Sequence, residues 1–147
     1  EAARISTEAG IPILLTSLQE VSQSLSGSET GTLFVAQQNK MSSRLLWLAH
    51  AATPRGRLIL DQGAVTALLE RGVSLLPAGV TGVTGDFRAG DTVEIVAPTG
   101  NVIARGLVAF DSEEIPQMLG RSTKDIAKEL GAEYERELVH RDDMVLL

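Results

Sequence analysis

A mixed α/β chain in two unequal parts is the fold class this sequence predicts. Three observations carry it. Residues 1–36 alternate helix and strand signals, as a doubly wound sheet does; residues 57–147 switch to closely spaced short strands punctuated by glycine; and a polar, then apolar, then Pro/Gly-containing junction separates the two. At 147 residues the chain suits one domain with an appendage, and 44% apolar with 22% charged residues excludes disorder throughout.

In the first part, residues 2–9 read as a helix end closed by Gly10, and IPILLTS (11–17) as a buried parallel strand. LQEVSQSLSG (18–27) reads as a short helix with Leu18, Val21 and Leu25 on one face, and GTLFVA (31–36) as a returning strand. Two strands and two helices cannot close a core alone, so this part looks like the edge of something larger. The junction spans about 37–56: polar QQNKMSSR, with Ser42, Ser43 and Arg44 as a solvated loop, then apolar LLWLAHAA, then TPRG. Trp47 is expected to pack beneath a neighbouring domain or to anchor a core. His50 has no histidine or carboxylate at metal-ligand spacing and reads as an ordinary polar residue.

In the second part, RLIL forms a strand and Asp61 caps a helix with Val65, Leu68 and Leu69 on its inner face, ended by Gly72. Pro77 and Gly79 make a turn, Val80 and Val83 precede another at Gly85 and Asp86, and RAGD (88–91) a third. TVEIVA (92–97) alternates as a half-buried strand and joins VIARGLVAF (102–110) through PTGN as a hairpin. The glycines permit sharp bends while valine, leucine and isoleucine fill a closed or nearly closed barrel. Asp111 or Ser112 caps a helix ending at Gly120; Ser122 and Asp125 form a capping box for another with Ile126 and Leu130 inward, closed by Gly131. EYERE (133–137) reads as a solvated connector, and LVHRDDMVLL as a last strand with Val139, Val145 and Leu147 on one face.

Charge and composition narrow the function. Four Lys/Arg meet four Asp/Glu in residues 1–55, but nine meet fifteen in 56–147, so the net −6 resides in the second part and opposes broad binding to phosphate backbones. The absence of cysteine removes disulfides and thiolate chemistry, and the short apolar runs speak against a signal peptide or a membrane span. Glycines 79, 82 and 85 lie in strand and turn context, where they cannot cradle a phosphate at a helix N-terminus. The run His140-Arg141-Asp142-Asp143 alternates faces if extended, which favours a structural or interface role over a metal site or catalytic pair. No catalytic, cofactor-binding or metal-binding residue is expected in this chain.

SLLPAGV with VTGDFRAGDTVEI, the ARG of 104–106, LGRST (119–123) and VHRDDMV together resemble the C-terminal PUA domain of bacterial glutamate 5-kinase. EAARISTEAGIPILL, GTLF and the Trp47-Leu48 pair are similar to the end of that family's amino-acid kinase domain. The resemblance implies that residues 1–50 are the C-terminal edge and linker of the kinase domain, and 57–147 a PUA-type β-barrel with short helices. It implies a cytoplasmic enzyme transferring the γ-phosphoryl group of ATP to L-glutamate with magnesium, the first step of proline synthesis. The phosphate loops, catalytic lysines and glutamate site would lie upstream. The rest of the kinase domain would be the main partner; a homo-oligomer fits, and no membrane is implied. The alternative is an RNA-binding PUA module of an RNA-modifying enzyme. In such modules the first helix and the Pro-Gly turn hold RNA, and the matching positions are Gly63, Arg71, Pro77 and Gly79, with Arg88 adjacent. Against this stand the net charge and the few aromatics, Phe87, Phe110 and Tyr134, offered for base stacking.

Overall fold

A computed structural model describes residues 2–37 and 41–147; the stretch Gln38-Asn39-Lys40 of the expected polar junction lies outside the described residues. The chain divides into two compact units, residues 1–50 and 51–147.

In the first unit, α1 (Ala2–Glu8) ends before Gly10, whose φ of 77° reverses the chain into β1 (Ile13–Leu15). After α2 (Val21–Leu25), β2 (Thr32–Phe34) pairs with β1, but antiparallel and exposed rather than parallel and buried. A parallel return needs a helix long enough to run back across the sheet, and the five residues of α2 cannot do so. The expected apolar face of this helix also fails: Leu18 precedes it, and Leu18 and Leu25 are exposed. Buried Ser24 fastens α2 instead, its hydroxyl lying 2.6 Å from the Thr30 hydroxyl and donating to Thr16 Oγ1 at 3.1 Å.

The apolar part of the junction is helical. Ser42 Oγ accepts the Leu45 N–H at 3.3 Å at the start of α3 (Ser43–His50), so Ser42 starts a helix rather than solvating a loop. Leu48 is buried whereas Trp47 is half exposed, because the inward stripe of α3 passes through the leucine. His50 is also more than an isolated polar group: its Nε2 lies 2.9 Å from Glu8 Oε2, fastening α3 to α1 through a residue 42 positions away.

The second unit is a bent five-stranded sheet. Its strands are β3 (Gly56–Leu60), β4 (Val80–Gly85), β5 (Thr92–Val96), β6 (Val102–Val108) and β7 (Val139–Leu146), in the order β4-β3-β5-β6-β7. Only β3 and β5 run parallel. The ends approach closure where Leu75 exchanges backbone hydrogen bonds of 2.8 Å with Val139 and Leu138. Adjacent rows of paired residues divide inside from outside. Leu58, Ile95 and Ala104 face one another in register and are fully buried, while the next row, Arg57, Glu94 and Arg105, carries charge. As the central strand, β5 is buried on both faces, with Thr92 and Val96 covered as well as Val93 and Ile95. The half-buried alternation expected for it does not hold.

Helix α4 (Gln62–Arg71) buries Val65 and Leu68 but leaves Leu69 half exposed, since the inward stripe runs through Val65, Leu68 and Ala64. The helix expected after Asp111 is only a 3₁₀ turn, Ile115–Gln117. Neither candidate cap is available to it: Asp111 Oδ1 accepts the Ala89 N–H at 2.7 Å and Ser112 Oγ accepts the Phe87 N–H at 3.3 Å, so both tie the preceding loop. Helix α5 (Thr123–Leu130) is capped by Ser122 Oγ, which accepts the Asp125 N–H at 3.2 Å. The Ser122 hydroxyl, then Lys128, hold the Asp125 carboxyl below the usual carboxylate range.

The connector 133–137 is not merely solvated. Tyr134 stacks on Phe110 with ring centroids 5.5 Å apart, Arg136 lies over the same ring, and the Tyr134 hydroxyl donates to Glu114 Oε1 at 2.8 Å. That bond raises the tyrosine pKa, since ionisation would remove the donor and add a like charge. In β7, four residues intervene between the partners of Gly106 and Val108, so the strand bulges and its alternation breaks. Val139, Met144 and Val145 are buried, whereas Leu147, expected inside, is exposed. His140 and Asp142, two residues apart and so on one face of the strand, lie 3.7 Å from each other on an exposed surface. No helix among the described residues is long and apolar enough to cross a membrane.

Candidate functional site

An apolar recess of the second unit forms where β3 turns into α4 and the chain returns through Pro77–Gly79. Asp61 starts the helix by accepting the Ala64 N–H at 2.7 Å, and Gly72 ends it with φ 58°. The return is clamped by the Asp61 N–H, which donates to Gly79 O at 3.0 Å, and by pairing of Leu60 with Val80. A cleft of about 330 Å³ remains between α4 and the returning segment, lined by Gly63, Ala64, Ala67, Ser74, Leu76 and Gly79 among others.

Glycine is required at 79 because a Cβ there would lie 2.5 Å from the Ala64 methyl. Gly63 has more room, its nearest neighbour being Asp61 Oδ1 at 3.3 Å. Of the positions expected to gather here, Gly63 and Gly79 line the cleft and Pro77 is buried beside it. Arg71 is exposed at the last residue of α4 and does not line it. Arg88 lies against a different recess, where it faces Asp111 at 3.6 Å. Sequence reasoning missed Ala64 and Ser74; Ala64 was detectable only once Gly79 was known to meet it, and Ser74 because its hydroxyl accepts the Arg141 N–H from β7, 67 residues away.

The cleft suits shape and backbone recognition rather than bond-making. It presents one ionised group, Asp61, already committed to the helix cap. Replacing Asp61 with alanine is expected to cost about 1 kcal/mol by loss of the cap, and Asp61→Asn to recover most of it, read from urea titrations of both variants.

The sequence profile of the PUA domain matches residues 56–130, about half of the chain. The chain belongs to the PUA domain family. Over its whole length it is also similar to proteins named glutamate 5-kinase: 58% identical to the one from Frankia casuarinae and 57% to the one from Streptomyces avermitilis. It spans 40% and 39% of those relatives' lengths. A solved PUA domain from Aeropyrum pernix, in complex with tartrate, is 27% identical with a TM-score of 0.44, over 59% of this chain and 41% of that one.

The donor sets of this chain do not fit a nucleotide phosphate or a metal ion. Gly82 and Gly85 lie in β4, and Gly79, in the 3₁₀ turn, meets the start of α4 with its carbonyl, which accepts the Asp61 N–H, rather than offering N–H donors to a phosphate. Where β3 does run into α4, the Asp61 carboxylate occupies the helix start and would repel a phosphate. No group of three or more His, Asp or Glu side chains among the described residues is arranged to hold a metal ion.

Proposed function

We propose that this chain is the C-terminal portion of a glutamate 5-kinase, with residues 1–50 completing the kinase domain and residues 57–147 serving as its PUA domain. The observation that carries this reading is 58% identity maintained over all 147 residues, both units included, to a protein of that name. In this reading the complete enzyme transfers the γ-phosphoryl group of ATP to the side-chain carboxylate of L-glutamate in the cytoplasm. In it, ATP, magnesium and glutamate are held by residues upstream of this chain.

The first unit supports this division of labour. Ile11, Leu15, Leu18, Leu25, Leu33 and Val35 are exposed, an apolar surface a free-standing unit would not keep. The preceding kinase segment is the natural cover, and the role of the PUA domain is to support the stability, assembly or regulation of that kinase domain. Contact with RNA through Gly63, Arg71, Pro77, Gly79 and Arg88 draws less support. The two glycines line a nearly uncharged cleft, Arg88 is paired with an aspartate, and relatives along the whole chain carry the kinase name.

The test compares two proteins. The 147-residue chain is expected to show no glutamate-dependent ATP turnover, and the complete protein from which it comes to show it. Turnover by the short chain would place the reactive centre within these residues, and its absence from both would remove the kinase reading.

A further inference from the structure

The apolar cleft beside α4 is bordered by an unfinished strand. Beyond Gly72 the chain runs through residues 73–76, where Leu75 spends its backbone on β7: its N–H donates to Val139 O at 2.8 Å and its carbonyl accepts the Leu138 N–H at 2.8 Å. Along an extended chain, successive residues turn their N–H and C=O to opposite sides, so the backbone groups of Ser74 and Leu76 face away from β7. Both residues line the cleft, and β7 does not. The Leu76 carbonyl is taken by the Gly79 N–H at 3.2 Å, but the N–H of Leu76 and the N–H and C=O of Ser74 have no hydrogen-bond partner among the described residues. They form an open strand edge turned towards the cleft.

The surroundings of that edge are apolar. Ala64, Ala67 and Leu68 line the cleft from α4, and Val73 and Leu76, which line it from the other side, are 39% and 47% exposed. Asp61 is the one ionised group of the lining; its Oδ1 accepts the Ala64 N–H, and its second oxygen has no hydrogen bond or ion pair among the described residues. Unpaired backbone donors and an acceptor beside apolar walls match one kind of occupant, a polypeptide in extended conformation. Such a segment completes the ladder with its own backbone and sends every second side chain into the cleft.

We propose that the cleft binds an extended segment of another protein, apolar at alternate positions and carrying a basic residue beside Asp61, which adds a strand along residues 74–76. Charge selects this occupant. Nine Lys/Arg against fifteen Asp/Glu in residues 56–147 repel a second copy of the unit and attract a cationic segment. A nucleic-acid strand is a poorer fit, because no aromatic ring lines the cleft among the described residues and Asp61 would oppose its phosphates. The site stands independently of the kinase assignment.

The test titrates the capped hexapeptide Ac-KVSVSV-NH2 into the 147-residue chain while backbone amide resonances are followed by NMR. Saturable shifts at Ser74 and Leu76 are expected, and in the complex both amides should exchange more slowly with water because they gain acceptors. Ala67→Phe fills the cleft from α4 and should weaken binding roughly tenfold. Leu76→Lys should do the same from an exposed position, so it reports binding even if Ala67→Phe perturbs the helix. Asp61→Asn keeps the helix cap but removes the charge, with an expected loss of about threefold. Shifts that do not saturate, or an affinity that neither Ala67→Phe nor Leu76→Lys changes, would overturn the proposal. So would shifts of the same amides that grow with the concentration of the chain alone, which would make a second copy the occupant, or a short single-stranded RNA that saturates them at lower concentration than the peptide.

Discussion

Replacing Ile95 with alanine is expected to lower the stability of the second unit by about 4 kcal/mol, near the top of the range for truncating a buried isoleucine. Ile95 has no exposed surface, sits on the central strand β5, and faces Leu58 on one neighbour and Ala104 on the other. Backbone ladders hold β5 on both sides, so the sheet cannot collapse into the space left behind and the cavity cost is kept in full. Against a typical total of roughly 5–15 kcal/mol, such a loss shifts the melting temperature by about 15 °C or more for a unit of this size. Leu69→Ala provides the contrast. That side chain is 51% exposed despite lying on a helix next to buried Leu68, and its truncation should cost less than about 1 kcal/mol. Equal losses for the two variants in urea titrations followed by circular dichroism would mean that the core is not centred on β5.

Leu69 also marks where sequence pattern stops deciding structure. The boundaries of α4 were legible because their causes are local: an aspartate that accepts a backbone N–H three residues on, and a glycine that takes a left-handed conformation. The β5–β6 hairpin was legible for the same reason, its turn residues lying between its strands. Which helical residues face inward depends on partners far along the chain, so Val65 and Leu68 could not be separated from Leu69. The same holds for β5, whose burial on both faces follows from its parallel pairing with β3, a neighbour separated from it by a helix and another strand. In the first unit, an apolar run implied burial, but burial needs covering residues and the described ones do not supply them. Of the candidate site, Gly63, Pro77 and Gly79 were legible as one turn-and-helix feature, while Arg88 was drawn in by closeness in sequence alone. The Arg57-Glu94-Arg105 row carries no local signature, since its members lie on three strands and meet only through register. Tyr134 was hidden by the charges around it, although its ring and hydroxyl both find partners inside the unit.

Gly85→Ala should destabilise the second unit by about 3 kcal/mol, from two separable causes. The residue sits at φ 97°, a conformation that costs a side-chain-bearing residue on the order of 1–2 kcal/mol. A Cβ would also lie 2.4 Å from the Arg55 carbonyl oxygen and 2.5 Å from Gly56 Cα, and these are backbone atoms held by the β3–β4 ladder. Relieving that overlap means moving β3 away from β4, with a further cost of about 1–3 kcal/mol. Gly90→Ala isolates the first cause, because Gly90 has φ 92° but no atom within 4 Å of the position a Cβ would take. The difference between the two variants in denaturant titrations therefore measures the overlap alone. Equal destabilisation in the two variants would show that β3 and β4 separate freely at this point.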